Sequence, residues 1–254
     1  MCILTFLKPG INPDLDVLRA GAAANPHGHG YALITGETIT IGRGLDAETV
    51  LTEFATVRAQ YPDGHALFHS RLATHGQRSV DNCHPFLVGG DKRTVLAHNG
   101  ILPPEAHPAP GDPRSDTRIA AEELLPRLPL GSLDSWAGRQ RLERWLRADK
   151  MVLLTVDPAY KYQAYVLNES YGHWVEGSWY SNHSYLETLS PVEATSRWDY
   201  YGFCEECGEF IASASPRCTF CGFCVECCAP FPRCTCPELD GQERYAELLG
   251  LETA

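Results

Sequence analysis

The chain has 254 residues and a formal net charge of −11 at pH 7, from 21 lysine and arginine residues against 32 aspartate and glutamate residues. A chain of this length can bury a sizeable core, and 44% hydrophobic with 21% charged residues is typical of a globular protein rather than a disordered one. The acidic excess argues against a protein that coats nucleic acid or an anionic membrane. No apolar run approaches the roughly 20 residues of a membrane span, and the apolar start over 2–7 is too short for a signal peptide. We therefore expect a cytoplasmic protein without membrane contact.

Strand and helix patterns alternate over the first hundred residues. Short apolar runs predict strands, and apolar residues at helical spacing after a capping aspartate predict helices. The predicted elements are a strand over 2–7, a helix over 14–24, strands over 31–34 and 38–41, a helix after Asp46, and strands over 65–72, 85–88 and 94–98. The proline-rich segment 103–113 is predicted to be a loop.

The next part of the chain carries helix patterns followed by strand patterns. Ser115 is predicted to cap a helix whose inner face holds Ile119, Leu124 and Leu128. Further predictions are a helix over 133–146 and strands over 151–156, 163–167 and 173–179. This order of strands, helices and strands favours an α+β layered fold over strict βαβ alternation.

Cys2 directly follows the initiator methionine. Removal of Met1, which is expected before a small residue, would leave a cysteine with a free α-amine. Such a residue carries a nucleophile and its own base, because an α-amine titrates near about pH 8 and can accept the thiol proton. A buried cysteine is also a good small hydrophobe, so Cys2 alone does not decide between a catalytic and a structural role.

Five short segments that contain polar residues help to decide between the catalytic and the structural role of Cys2. They are Asn25-Pro26-His27-Gly28-His29-Gly30, His69-Ser70-Arg71-Leu72-Ala73-Thr74-His75-Gly76, Asn82-Cys83-His84-Pro85-Phe86, Leu96-Ala97-His98-Asn99-Gly100-Ile101-Leu102 and Ser115-Asp116-Thr117-Arg118. In this order and spacing they resemble the class II glutamine amidotransferases, which are N-terminal-nucleophile hydrolases with a four-layer αββα fold. The resemblance covers residues 2 to about 185 and ends near Tyr180-Ser181-Asn182.

The resemblance implies a glutaminase that works through a thioester. Cys2 would supply both nucleophile and base, forming a γ-glutamyl thioester and releasing ammonia. The Asn99 side chain and the Gly100 backbone N–H would form the oxyanion hole, where glycine lets the backbone approach closely. The plainer alternative for Asn99-Gly100 is a hairpin turn, for which this dipeptide is common.

The same resemblance implies a clamp for the amino-acid end of glutamine. Arg71 would hold the α-carboxylate with Thr74 and His75 assisting, because a guanidinium matches carboxylate geometry. Asp116 would pair with the α-ammonium group. Taken singly, Arg71 could be a surface charge and Asp116 a partner of the helix dipole; taken with Cys2, they favour glutamine binding.

The chain departs from the family pattern in two places. Leu72 stands where the Arg-x-Ala-Thr motif often has an aromatic residue, which affects the expected detail of the pocket. The segment around His27 and His29 lacks the arginine and aspartate of sugar-aminating members, which argues against that branch. A further set of residues along the predicted strands is interpreted as structural: His65, His69, Cys83, His84 and His98.

Nine of the 11 cysteines lie between residues 204 and 236. An odd total in a chain without an export signal argues against a disulfide framework. Two C-x-x-C-G motifs, at 204–208 and 218–222, have the spacing of a tetrahedral thiolate site and resemble a zinc ribbon. Four of the other cysteines could close a second site, so we expect about two structural zinc ions. The candidate ligands are Cys204, Cys207, Cys218, Cys221, Cys224, Cys227, Cys228, Cys234 and Cys236.

An iron–sulfur cluster is the alternative to zinc. Cys218, Cys221, Cys224 and Cys228 read C-x2-C-x2-C-x3-C, which resembles a ferredoxin run. Zinc is favoured because an iron–sulfur cluster on these four cysteines would leave the C-x-x-C-G motif at 204–208 without partners. Glutamates outnumber arginines in this region, so nucleic acid is an unlikely ligand and a protein surface is the expected one.

The sequence thus predicts three parts: an amidotransferase domain over 2–198, a cysteine-rich metal module over 199–238 and a tail helix over 239–254. The stretch after Trp198 is too short for an acceptor active site of usual size, so ammonia is expected to pass to a separate synthetase partner. Two alternatives stay open. One is a catalytically degenerate scaffold that binds proteins through the metal module, and the other is a free-standing amidohydrolase of another γ-glutamyl compound.

Overall fold

The computed structural model describes residues 2–186, 223–224 and 229–230. Its contacts divide the chain into two compact units, Met1–Pro191 and Val192–Ala254. In the second unit, the described backbone is an antiparallel pair of two-residue strands, with Phe223 opposite Pro230 and Cys224 opposite Ala229. The predicted metal module and tail helix otherwise lie outside the described residues.

The described residues of the first unit form ten strands, four longer helices and three short 3-10 turns. The strands are β1 Ile3–Leu7, β2 His29–Thr35, β3 Thr38–Gly44, β4 Ala66–Ser70, β5 Phe86–Val88, β6 Asp91–Asn99, β7 Lys150–Thr155, β8 Ala164–Leu167, β9 His173–Val175 and β10 Ser178–Tyr180. The helices are α1 Leu15–Ala24, α2 Ala47–Gln60, α3 Asp116–Ile119, which continues as a π-helical turn over Ala120–Leu124, and α4 Trp136–Leu146. None of the helices in the described part of the chain combines the length and the apolar character needed to cross a membrane.

The strands form two antiparallel sheets. One has the order β3-β2-β4-β1-β10-β9, and the other has the order β5-β6-β7-β8. Side chains alternate between the two faces of each strand, so β1 sends Leu4 and Phe6 towards the second sheet, where they meet Val95 and Val152. The mixed α+β fold with two antiparallel sheets is therefore as the sequence predicts.

Helices cover the outer face of each sheet. Leu18 of α1 and Phe54 of α2 pack against Leu7 and Phe68 on the outer face of the six-stranded sheet. The outer face of the four-stranded sheet packs in the same way against the π-helical turn and α4. The layers of the first unit therefore run helix, sheet, sheet, helix.

Local signals in the sequence set the helix starts. The side chains of Asp14, Asp46 and Ser115 each accept backbone N–H groups of the following turn, as the capping pattern predicts. The helix predicted over 133–146 begins later, at Trp136, because Ser135 provides its cap.

The prediction of one strand over 173–179 was wrong. Glu176 and Gly177 have positive φ angles of 48° and 85° and turn the chain between β9 and β10. The two halves then pair, with Trp174 opposite Trp179. A two-residue turn with both φ angles positive is a tight hairpin, so the segment is folded back rather than extended.

The topology brings several strand ends together. Ile3 at the start of β1 lies opposite Ser70 at the end of β4, and Thr5 lies opposite Tyr180 at the end of β10. A hydrogen bond joins the two sheets at the same end, from His69 Nε2 to the carbonyl of His98, at 3.0 Å. Residues just beyond these ends therefore converge on one edge of the sandwich.

Candidate active site

The Cys2 thiol lies against the backbone of Leu72. Its Sγ accepts the Leu72 N–H at 3.2 Å and lies 3.4 Å from the Leu72 carbonyl oxygen. The Cys2 carbonyl accepts a hydrogen bond from Asn182 Nδ2 at 2.7 Å. Burial raises the pKa of the thiol, and the Leu72 hydrogen bond and the positive charge of Arg71 offset this only in part. The thiol is therefore protonated at neutral pH and needs a base to become a nucleophile.

Arg71 follows β4 directly and is 3% exposed. Its Nη1 donates to the Gln77 carbonyl at 3.0 Å, and its Nη2 donates to the carbonyl of His75. A guanidinium has five N–H donors, and no hydrogen bond within the described residues uses the other three. The guanidinium is thus fixed in direction and still has donors for a carboxylate.

The Asp116 carboxylate is 5% exposed at the start of α3. Its two oxygens accept the N–H groups of Thr117, at 2.8 Å, and Leu102, at 3.0 Å. His75 Nδ1 lies 3.9 Å from Asp116 Oδ2, so the structure brings these two predicted residues together. Thr74, the residue before His75, is exposed in the bend after Arg71 and makes no side-chain hydrogen bond within the described residues.

Asn99 ends β6 and is 2% exposed. Its Nδ2 lies 2.8 Å from Ser181 Oγ, which also accepts the Leu4 N–H at 2.9 Å. Asn99 is in this way tied to the strand that begins beside Cys2. Ser181 and Asn182 appear in the sequence only as the end of the family resemblance, and their roles were missed because both contacts join residues far apart in the chain.

Gly100 has a φ of +144°, a conformation that other residues avoid. A Cβ at this position would lie 2.0 Å from Asp149 Oδ1. The sequence predicts that this glycine lets the backbone N–H approach the oxyanion of a substrate, which stays a prediction. The structure shows in addition that the Asp149 carboxylate occupies the space where a side chain would begin. Asp149 also accepts a hydrogen bond from His98 Nε2 at 3.2 Å, so the residues on both sides of Asn99 contact it.

The buried histidines behind the site form a connected group that the sequence patterns did not indicate. His84 Nδ1 lies 2.8 Å from His69 Nε2, and His98 Nδ1 lies 3.1 Å from Thr117 Oγ1. Burial lowers the pKa values of His69 and His84 well below the ordinary range. Both rings are therefore neutral at pH 7 and act as hydrogen-bonding parts of the core.

The described residues contain no group of three or more histidine, cysteine or acidic side chains arranged to hold a metal ion. Cys2 and Cys83 are free thiols. The nine cysteines predicted as metal ligands lie outside the residues whose side chains are described, so zinc and the iron–sulfur alternative stay predictions.

No protein-family model matches the sequence, and none of the curated proteins compared with it gives a match. Several solved structures are similar to it. Glutamine phosphoribosylpyrophosphate amidotransferase from B. subtilis, complexed with ADP and GMP, is 15% identical with a TM-score of 0.46, covering 74% of this chain and 43% of that one. A structure described as the allosteric regulatory enzyme of purine biosynthesis is 16% identical with a TM-score of 0.42 and the same two coverages, 74% and 43%.

A third similar structure is a glutamine aminotransferase class-II domain protein from Silicibacter pomeroyi. It is 17% identical with a TM-score of 0.33, covering 71% of this chain and 87% of that one. The chain spans less than half the length of the first two structures.

Proposed function

We propose that this chain hydrolyses the side-chain amide of glutamine to glutamate and ammonia, with Cys2 as an N-terminal nucleophile after removal of Met1. The observation that carries the proposal is the set of contacts that links Cys2, Arg71 and Asp116, which come from three separate segments. Cys2 Sγ accepts the N–H of Leu72, the residue after Arg71; Arg71 donates to the carbonyl of His75, whose Nδ1 lies 3.9 Å from Asp116 Oδ2. An enzyme that selects a free amino acid amide needs these three groups: a nucleophile, a cation for the carboxylate and an anion for the ammonium.

The raised pKa of the thiol explains why the reaction would need the α-amine. In the proposed first step the amine takes the proton from Cys2 Sγ, and the sulfur attacks the amide carbon of glutamine. The negative oxygen of the tetrahedral intermediate would accept hydrogen bonds from Asn99 and the Gly100 N–H. The ammonium proton then returns to the leaving nitrogen, ammonia departs, and water hydrolyses the γ-glutamyl thioester to glutamate and free thiol.

The remaining polar groups support glutamine as the substrate. Arg71 offers its unused N–H donors to the α-carboxylate, and the two backbone carbonyls behind it keep the guanidinium plane fixed. Asp116 would bind the α-ammonium, with His75 beside it and Thr74 at the exposed rim. Both charges are buried, and a bound amino acid would supply the opposite charge to each.

The test compares Cys2→Ala with a matched Cys83→Ala variant, which removes the other free thiol of the described residues. Mass spectrometry of the intact wild-type chain should show loss of Met1. Glutaminase activity should be lost in Cys2→Ala and kept in Cys83→Ala. Glutaramate, which lacks the α-amine, should be hydrolysed at least about ten times less efficiently than glutamine, because Asp116 gains no partner.

Three results would count against the proposal. Equal activity in Cys2→Ala and the wild type would rule out the nucleophile, and a fully processed but inactive wild type would favour the degenerate scaffold. Efficient hydrolysis of another γ-glutamyl compound, with glutamine untouched, would favour the free-standing amidohydrolase.

We further propose that ammonia passes to a separate synthetase that docks on the cysteine-rich module. The donor set of that module fits structural zinc, since paired C-x-x-C motifs present thiolates in tetrahedral arrangement. Zinc would stabilise the module and takes no part in the proposed hydrolysis. Co-purification of a partner from the source cell, lost when the module's cysteines are replaced, tests this. If no protein co-purifies and the isolated chain already hydrolyses glutamine at full rate, the proposal of a synthetase partner is contradicted.

A further inference from the structure

The hydrogen bonds around the Asn99 amide are incomplete in its present orientation. Asn99 Nδ2 and the Leu4 N–H both donate to Ser181 Oγ, at 2.8 and 2.9 Å. Ser181 therefore serves only as an acceptor in these bonds, although a hydroxyl also donates. Asn99 Oδ1 is buried and has no hydrogen-bond partner within the described part of the chain. A buried polar atom left without a partner carries the full cost of its desolvation.

Exchanging the nitrogen and oxygen of this amide gives Asn99 Oδ1 a partner and lets the Ser181 hydroxyl donate as well as accept. The two atoms have nearly the same size, so an amide's orientation is assigned from its hydrogen bonds. In the exchanged orientation Ser181 Oγ still accepts the Leu4 N–H and now donates to Asn99 Oδ1. The Asn99 NH2 group then occupies the position of the unpartnered atom, with its donors free.

We propose that Ser181 holds the Asn99 amide in this exchanged orientation and so aims its NH2 group at the oxyanion of the substrate. Ser181 is a positioning residue, because it would act through Asn99. The proposal rests on the proposed function, since the oxyanion arises only if an amide is hydrolysed. Ser181 is fully buried and Asn99 is 2% exposed, so water does not compete for these bonds.

The position of Ser181 also explains why a single hydroxyl can serve this role. The Ser181 N–H donates to the Leu4 carbonyl at 2.9 Å, while the Leu4 N–H donates to Ser181 Oγ. Leu4 is two residues from Cys2 along β1. The serine therefore fixes the strand that carries the nucleophile and the amide that would stabilise the oxyanion relative to each other.

The first experiment measures kcat and KM for glutamine in the full-length chain. Ser181→Ala should lower kcat about 10- to 100-fold and leave KM within about threefold, because only the transition state uses the donor. Ser181→Thr keeps the hydroxyl and should recover most of the activity. Ser178→Ala is the matched control, since Ser178 is buried in β10, the strand that Ser181 follows, but its hydroxyl bonds to Tyr180.

A double-mutant cycle separates positioning from a merely structural role. If Ser181 acts mainly through Asn99, then Ser181→Ala should cost much less in an Asn99→Ala background than in the wild type, leaving only the part that comes from the lost bond to the Leu4 N–H. A loss of the same size in both backgrounds, or a rise in KM with kcat unchanged, would overturn the proposal. Thermal unfolding of each variant shows whether a loss of kcat comes only from a smaller fraction of folded protein.

Neutron diffraction from crystals grown in D2O gives a readout that does not depend on activity. A deuteron on Ser181 Oγ directed at Asn99, with the Asn99 ND2 group turned away from the serine, supports the proposal. Asn99 deuterons directed at Ser181 overturn it. If the wild-type chain fails to hydrolyse glutamine, the proposed function falls, while this measurement still decides the orientation of the amide.

Discussion

Gly100 follows β6 with a φ of +144°, and the Asp149 carboxylate fills the space where a side chain would begin. Two separate costs therefore oppose any other residue here: the unfavourable backbone conformation, and the collision of its Cβ with the half-buried Asp149 carboxylate. Asp149 in turn contacts His98. A change at Gly100 would therefore disturb the residues on either side of Asn99.

We predict that Gly100→Ala destabilises the protein by about 3 kcal/mol or more and lowers glutaminase activity at least about 100-fold. Gly36→Ala is the matched control, since Gly36 has a φ of +73° but no atom within 4 Å of its missing Cβ. It should cost only about 1 kcal/mol, the cost of the left-handed conformation. Urea denaturation and the glutaminase assay measure both; equal losses of stability in the two variants would contradict the role of Asp149.

Single residues also show how far the sequence predicts the site. The sequence singles out Cys2, Arg71 and Asp116 as candidates because each residue type has a chemical use and lies in a segment with a family resemblance. Ser181 and Asp149 were not found, because a serine or an aspartate after a strand is ordinary and only its contact partner makes it informative. Those partners lie 82 residues away for Ser181 and 51 for the Asp149–His98 pair.

At the scale of elements, Arg58 of α2 joins two chain segments to the helix. Its side chain, 2% exposed, donates to the carbonyls of Lys8 and Ile11 at 2.8 to 3.0 Å and to the carbonyl of Gly64. The Lys8 and Ile11 carbonyls follow β1, and the Gly64 carbonyl precedes β4. Cys2 lies directly before β1, and Arg71 lies directly after β4. The arginine thus supports the elements that carry the proposed site.

Arg58→Met, which keeps the length of the side chain, should destabilise the protein by about 3 to 5 kcal/mol, because three carbonyls lose their donors. Arg19→Ala is the control. Arg19 pairs with Glu48 on the surface, and loss of an exposed ion pair should leave the denaturation midpoint unchanged within error. If Arg58→Met also leaves the denaturation midpoint unchanged, water must replace the hydrogen bonds that Arg58 donates to the three carbonyls.

The β9–β10 hairpin and the segment after it carry a stacked histidine pair. The rings of His173 and His183 lie 3.7 Å apart at an angle of 5°, and His173 Nε2 lies 2.9 Å from Tyr185 Oη. Burial and the neighbouring His183 lower the pKa of His173 to about 4. A histidine with a lowered pKa in the folded state takes up its proton more readily in the unfolded state, so acid favours unfolding.

Stability should therefore fall as the pH drops from 6.5, where an unfolded histidine begins to charge, towards about 4. The variant His173→Phe keeps the stacked ring but cannot titrate, so its free energy of unfolding should fall by about 1 kcal/mol less over this pH range. The expected difference is this small because solvent screens the partly exposed His173 ring. Urea denaturation at pH 7, 5.5 and 4.5 gives the comparison. Parallel curves for the two proteins would show that His173 charges at its ordinary pKa.

At the scale of the whole molecule, the layered fold was predictable because apolar runs, capping residues and turn residues are local signals. The hairpin at Glu176-Gly177 was missed because Trp174, Val175 and Trp179 favour strand structure on both sides of it, and a turn of only two residues between strands of three residues is a weak signal. The metal module is predicted from the spacing of its cysteines alone, because paired C-x-x-C motifs indicate a thiolate metal site whatever the surrounding fold.

That prediction is quantitative. The purified full-length chain should contain about two zinc ions, measured by plasma mass spectrometry, and replacing both Cys204 and Cys207 by serine should remove about one. Cys83→Ser is the matched control. Its Sγ lies near the carbonyls of Ser79 and Gly44 within the first unit, so its loss should leave the metal content unchanged. Iron with sulfide in place of zinc, and a content unaffected by the Cys204 and Cys207 replacements, would establish the iron–sulfur alternative, because that cluster uses neither residue.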